Sequence, residues 1–213
     1  MKTEWRSYTQ RRAEHVSLAE GLFLLPENAL SQRKKEKMRR KGMWYVIQVR
    51  TGTEENICLQ CTVRIPQTVL ERCFLPYYEE KKKIRGNWTV QKKHLFPGYV
   101  FVVTEDIEAL HEMLKSVMGM TKLLGVGEDI VPLTEEEVQF LKRFGGEEQV
   151  VEMSEGIIEN SETKILSGPL KGMEGTIRKI DRHKRKAWIE IEMFGRMQLV
   201  QVGLDGCSSS AAM

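Results

Sequence analysis

At 213 residues, with 41% hydrophobic and 30% charged residues, the chain has an ordinary globular composition and room for one domain or two small ones. No apolar run reaches the ~18 residues of a membrane span, and "GLFLLP" is too short for the ~7–15-residue core of a secretory signal, so a cytoplasmic protein with no membrane partner is expected. The net charge of +3 conceals a division: residues 1–42 hold eleven Lys/Arg against five Asp/Glu, which leaves the remainder at −3 and excludes a protein that coats nucleic acid over its whole surface.

Residues 1–42 show no sustained periodicity and end in "SQRKKEKMRRKG". They are expected to be a disordered basic extension or a mis-assigned start. The second reading is favoured because "RRKG", encodable by a purine-rich stretch like a bacterial ribosome-binding site, lies directly before Met43. "WYVIQVR" then reads as a strand, rich in aromatic and β-branched residues. Thr53 is positioned to cap a helix carrying Ile57, Cys58, Cys61 and Ile65 on one face, with Pro66 near its end. "ERCFLPYYEEKKK" and "NWTVQKKHLF" read as two strands joined at Gly86-Asn87, and "GYVFVV" as a further strand. Thr104 is expected to cap a second helix with Ile107, Leu110, Leu114 and Val117 at helical spacing. "LLGVGEDIVPL" reads as a short strand and loop. Thr134 and Glu137 stand in capping-box register before Val138, Leu141 and Phe144. The order β-α-β-β-β-α-β-α predicts an α+β domain over 43–145, with helices packed against one face of a largely antiparallel sheet.

Between Glu128 and Glu162 eleven acidic residues face only Lys142 and Arg143, and Gly145-Gly146 and "MSEGIIENSE" predict an acidic flexible linker over 146–160. Residues 161–206 contain no helical period. "TKIL", "GTIRKI", "AWIEIEM" and "QLVQV" predict a small, strongly bent all-β barrel, with Ala187, Ile189, Ile191 and Met193 inward and Trp188, Glu190 and Glu192 outward. Residues 207–213 form a tail.

No catalytic constellation is present: there is no phosphate loop, nucleophile elbow or zinc-protease motif, and the four histidines are scattered. Cys58 and Cys61 form a C-x-x-C with no second ligand pair, so the expectation is packing, with neither metal nor cofactor. A non-enzymatic protein follows. Two features ask for a binding role. The block Arg178, Lys179, Arg182, His183, Lys184, Arg185 and Lys186, beside outward Trp188, concentrates cations at a tight connection. Repulsion there costs energy unless an anion relieves it, and cations next to an aromatic plane suit RNA. Phe96, Tyr99 and Phe101 crowd "LFPGYVFV", where one strand face fills a core and the other suits a protein partner.

"WYVIQVRTGTE", "LFPGYVFV", "LLGVG", "PLTEEEV" and "SGPLKGMEGTIRKID…EIEMFGR", in that order, resemble the NusG family of transcription elongation factors over roughly residues 44–204. The last element is similar to a KOW motif and most like the LoaP branch of specialised paralogues. The resemblance implies an N-terminal NGN domain and a small SH3-like KOW barrel. It implies RNA polymerase binding through Phe96, Tyr99 and Phe101, with His111 near a second polymerase contact, and a factor that promotes processive antitermination. The expected partners are bacterial RNA polymerase and nascent RNA bearing a leader hairpin, with non-template DNA as a further candidate, and the expected state is a monomer. The alternative is a general adaptor whose KOW domain recruits Rho or ribosomal protein S10. Against it, the family's usual "GPF" is here Gly168-Pro169-Leu170, which takes an aromatic from the partner-binding loop.

Overall fold

The computed structural model describes residues 42–126, 129–159 and 162–207. The expected basic extension, except Gly42, and the tail beyond Cys207 lie outside the described residues. In chain order the elements are β1 (Met43–Val49), α1 (Glu54–Arg64), β2 (Arg72–Phe74), β3 (Tyr77–Ile84), β4 (Asn87–His94), β5 (Tyr99–Thr104), α2 (Ile107–Leu114), β6 (Met120–Leu123), β7 (Gly125–Val126), β8 (Asp129–Ile130) and α3 (Glu135–Gly145). They continue as β9 (Val150–Val151), β10 (Ser154–Glu159), β11 (Glu162–Ser167), a 3-10 turn at Glu174–Thr176, β12 (Ile177–Asp181), β13 (Lys186–Met193) and β14 (Arg196–Cys207).

The first sheet has the order β2-β5-β1-β6, and β1 and β5 pair antiparallel from Met43↔Thr104 to Gln48↔Tyr99. Side chains alternate across it. Tyr45, Ile47, Val49, Val100 and Val102 enter one core with Ile57 and Cys61 of α1 and Leu110 and Leu114 of α2. Trp44, Val46, Phe74, Phe101 and Val103 enter a second core with Val138, Leu141 and Phe144 of α3. The antiparallel α+β domain is as expected, but its helices cover both faces of the sheet rather than one, because side chains on each face of β1 and β5 are apolar.

Local chemistry sets the element ends. The predicted capping box is present: Thr134 accepts from the Glu137 amide at 3.2 Å, and Glu137 accepts from the Thr134 amide at 2.8 Å. Thr53 does occupy the N-cap of α1, but its hydroxyl donates to the Arg50 carbonyl and makes no capping bond. Thr104 does not cap α2. It ends β5, donating to the Val69 carbonyl, while Asp106 accepts from the Ala109 amide as the true cap. "ERCFLPYYEEKKK" is two strands rather than one, because Pro76 has no N–H to continue a ladder. Phe74 pairs with β5, whereas Tyr77 to Ile84 pair with β4 in a long hairpin.

The stretch expected as a linker holds strands instead. β9 runs parallel to β3, at Tyr77↔Val150 and Tyr78↔Val151, and the Tyr77 amide donates to the Gln149 carbonyl at 2.8 Å. β10 belongs to the C-terminal sheet, antiparallel to β11 and parallel to β14. That sheet has the order β11-β10-β14-β13-β12, so the all-β unit begins near Ser154 rather than 161. Ala187, Ile189, Ile191 and Met193 point inward as predicted and meet Val200, Val202 and Leu204. These residues share one cluster with Phe101 and α3, so the α+β and all-β halves have a continuous core.

Glu54 ties the first domain together from a fully buried position. Its carboxylate accepts from the Gly98 amide at 2.7 Å and the Gly52 amide at 2.6 Å. Burial pushes its pKa up, but these backbone hydrogen bonds and nearby His94 outweigh that and hold it below the ordinary 4.5. Glu54→Ala strands two amides and is expected to cost about 2–3 kcal/mol in urea unfolding at neutral pH. Because the folded pKa is lowered, the parent should lose this contribution as pH falls below the ordinary carboxylate value, and the variant should not.

Candidate functional site

Phe96 and Phe101 are buried and Tyr99 is half-buried; the three gather around a fourth aromatic, Phe194. Ring centroids lie 5.5 Å from Phe194 to Phe96, 4.9 Å to Tyr99 and 6.0 Å to Phe101. Phe194 and Gly195 form the two-residue turn between β13 and β14, with φ of 60° and 66°. Such a turn normally takes Asn or Gly at its first position, and a bulky side chain there costs roughly 1–2 kcal/mol. Packing on three rings offsets that cost. The Phe194 amide also donates to Glu137 at 2.5 Å, and Arg196 donates to the Tyr99 hydroxyl at 2.7 Å. The tip of the all-β unit therefore plugs the aromatic strand.

A second contact joins β3 to β14. Lys186 donates to the buried Glu80 at 2.6 Å, and the Tyr78 hydroxyl donates to the same carboxylate at 3.0 Å. Gln201 completes the group by donating to the Tyr78 hydroxyl. Asp205 accepts from both Lys81 and Arg185, and the Arg185 guanidinium lies 4.0 Å from the Trp88 ring centroid. Burial raises the Glu80 pKa, but hydrogen bonds from Lys186 and Tyr78 and the charges of Lys186 and Lys93 outweigh it, so the carboxyl sits below its ordinary range. At Gly203 the backbones almost touch, and a Cβ there would overlap the Glu79 carbonyl oxygen.

The basic block is divided by these contacts. Arg185 and Lys186 are committed to the β3–β14 seam. Arg178 pairs with Glu190 at 2.7 Å, and Lys179 lies 5.0 Å from the ring of half-buried Trp188. Asp181 organises the turn by accepting from the Lys184 amide at 2.9 Å, and that bond leads the causes that lower its pKa. Arg182, His183 and Lys184 remain exposed, the Lys184 ammonium standing 3.7 Å from Asp181. His111 is exposed on α2, which packs on the opposite face of the first sheet from Phe101, so the structure does not bring it to the aromatic cluster. Leu170 is buried in the all-β core, with its amide donating to Ser154. At this position the chain therefore presents a core residue and not an exposed loop side chain.

Cys61 lies in the core beneath β2, and hydrogen bonds with Cys58 and Cys61, reinforced by burial, push the Cys73 thiol up. Among the described residues no group of three or more His, Cys, Asp or Glu is arranged to hold a metal ion, and no helix is long and apolar enough to cross a membrane. Sequence reasoning missed Phe194, Glu80 and Gly203. Only Phe194 carries a local signal, an aromatic where a hairpin turn prefers Asn.

Gly203→Val is expected to part the two halves while each stays folded, since β14 itself is extended there and admits any residue. Small-angle scattering should show a larger radius with an unchanged circular dichroism spectrum; an unchanged radius would contradict the contact. Acid should open the parent in the same way. Glu80 has a lowered folded pKa, so its contribution is present above the ordinary 4.5 and fades as pH falls below it. Scattering across that range checks the direction.

A family model described as "Transcription termination factor nusG" matches residues 42–142. The transcription termination/antitermination protein NusG of Bacillus subtilis (strain 168) is 31% identical over 168 residues, covering 75% of this chain and 93% of that protein. The NusG of Staphylococcus aureus (strain Mu50) is 29% identical over 170 residues, covering 76% and 92%. A solved chain described as "Domain interaction in Thermotoga maritima NusG" shares the fold, with a TM-score of 0.51 and 22% identity over 78% of this chain and 94% of that one. The α+β half is thus an NGN-type domain and the all-β half a KOW-type unit. These likenesses give a transcription factor and not an enzyme: the chain belongs to the NusG family of transcription termination/antitermination factors.

Proposed function

We propose that this NusG-family chain binds bacterial RNA polymerase through Phe96, Tyr99 and Phe101 and promotes processive antitermination, with its KOW domain contacting nascent RNA. The observation that carries this reading is the cover on the aromatic strand. Phe101 is buried by Phe194, a residue held at the tip of the other domain, rather than wholly by its own domain. An apolar face closed by a separable plug is suited to exchange that plug for a partner. The docked form is then the resting form, and Phe194 leaves before polymerase takes the face. His111, on the opposite side of the sheet, serves as a separate polymerase contact.

Arg182, His183 and Lys184 supply the solvent-facing cations for a leader hairpin, with Arg178, Lys179 and Trp188 flanking them on the same sheet and Arg185 and Lys186 adding positive charge beside them at the seam. Non-template DNA is the further nucleic-acid partner of the polymerase-bound form. A second reading, a general adaptor that recruits Rho or ribosomal protein S10, is favoured by the pairing of Arg178, Arg185 and Lys186 with carboxylates, which satisfies much of the block without RNA.

Single-round transcription through an intrinsic terminator separates the two. The parent chain with bacterial polymerase is expected to give read-through only when the protein's own upstream leader is transcribed. Tyr99→Ala should reduce read-through by weakening polymerase binding, and Arg182→Glu with Lys184→Glu should abolish leader dependence. Altered pausing that ignores the leader would return the chain to the adaptor reading.

A further inference from the structure

The β3–β4 hairpin carries a second concentration of positive charge. Residues 81–93, "KKKIRGNWTVQKK", include six Lys/Arg and no acidic residue. Lys81 is neutralised by Asp205, and Lys93 stands near Glu80. Among the described residues, Lys82, Lys83, Arg85 and Lys92 make no ion pair and are exposed. The pairing Lys83↔Trp88, Lys81↔Val90 and Glu79↔Lys92 puts Lys83, Trp88, Val90 and Lys92 on one face. Alternate residues along such a strand are about 6.7 Å apart, a spacing of the order of that between phosphates along one nucleic-acid strand.

Three further observations separate this arm from an ordinary solvated hairpin. Trp88 is 41% exposed and Val90 50% exposed, so apolar surface is left among the cations. The turn places Arg85 at φ 50° before Gly86 at φ 90°, where Asn or Asp would sit without strain. A charged side chain is thus held at the tip against the backbone preference. Finally, the arm meets the KOW loop: Arg185, at φ 53°, stacks on Trp88 and ties the turn that carries Arg182 and Lys184 to the hairpin. Two basic turns, each with an arginine in the left-handed region, are linked by this contact.

We propose that the β3–β4 hairpin is an RNA-binding arm, in which Lys83 and Lys92 on one face and Arg85 at the tip, with the open edge of Trp88, take the phosphate backbone of the same structured RNA that the KOW loop contacts through Arg182 and Lys184. The inference rests on the reading of the KOW loop as an RNA contact and extends it across both domains. It makes the docked form, and not the KOW domain alone, the better RNA binder, because the two halves of the surface are adjacent only there.

Fluorescence anisotropy of the full chain with a generic RNA hairpin of about 12 base pairs tests it, titrated between about 50 and 200 mM salt. The arm variant Lys83→Glu/Arg85→Glu/Lys92→Glu and the loop variant Arg182→Glu/Lys184→Glu change only exposed side chains outside both cores, and melting curves matching the parent confirm folding. Each variant is expected to bind at least roughly tenfold more weakly. The slope of log affinity against log salt should fall by about 0.9 for each phosphate that is no longer neutralised. Gly203→Val should weaken binding while leaving every cation in place. An arm variant that binds as the parent does, with a weakened loop variant, overturns the arm and leaves the KOW reading intact. A loop variant that binds as the parent does, with a weakened arm variant, overturns the KOW reading and leaves the arm as the RNA site. Parent affinity in both variants overturns both, and tighter binding of a DNA duplex of equal length overturns RNA as the occupant.

Discussion

Strand β5 has no face that tolerates water, and the rest of the molecule is arranged around that constraint. Val100 and Val102 are covered by α1 and α2, elements joined to the sheet by short connections within one domain. Phe101 and Val103 look the other way, and α3 covers only part of that side. The tip of the KOW unit supplies the remainder. Burying a large apolar side chain stabilises by roughly 1.5–3 kcal/mol, so each cover matters, but only the second can be withdrawn without dismantling the NGN domain.

The seam is built from two kinds of contact with different consequences. Phe194 supplies apolar burial among three rings, which is the main attraction. The carboxylates Glu80 and Asp205 meet Lys81, Arg185 and Lys186, and for such pairs the loss of hydration offsets most of the Coulombic gain. Their value lies in orientation: they fix which edge of β14 faces β3 and penalise other docked arrangements. An interface of this kind is worth a few kcal/mol and is held together by chain connectivity. A partner that prefers the exposed aromatic strand needs only comparable differential affinity to displace it.

Much of the fold is legible in the sequence because it is set locally. The period-two pattern of "MWYVIQV" and "KAWIEIEM" places the correct side chains inward, and Thr134 with Glu137 marks the start of α3 to the residue. Expectation and structure part where distant residues decide. Thr104 stands at the spacing of a cap, but Asp106, two residues later, has the geometry, and the Thr104 hydroxyl is used by Val69. The acidic stretch after Gly146 reads as a linker because its composition is polar. Yet β9 and β10 gain their stability by pairing with β3, β11 and β14, partners that no local window contains. The same holds for the functional residues. The aromatic strand and the basic block are visible as clusters. That Phe194 fills the first, and that half of the second is spent on Glu80, Asp205 and Glu190, depends on which surfaces meet.

Gly203 has a meaning that reaches beyond packing. β14 is extended at this position, so the KOW fold by itself makes no demand for glycine there. The demand comes from the Glu79 carbonyl of the other domain. A single codon therefore separates two selective pressures: folding the KOW unit tolerates almost any residue at 203, while keeping a closed state tolerates only one. Drift at 203, alongside an intact Phe96–Tyr99–Phe101 strand, would mark a lineage in which the factor has become constitutively open.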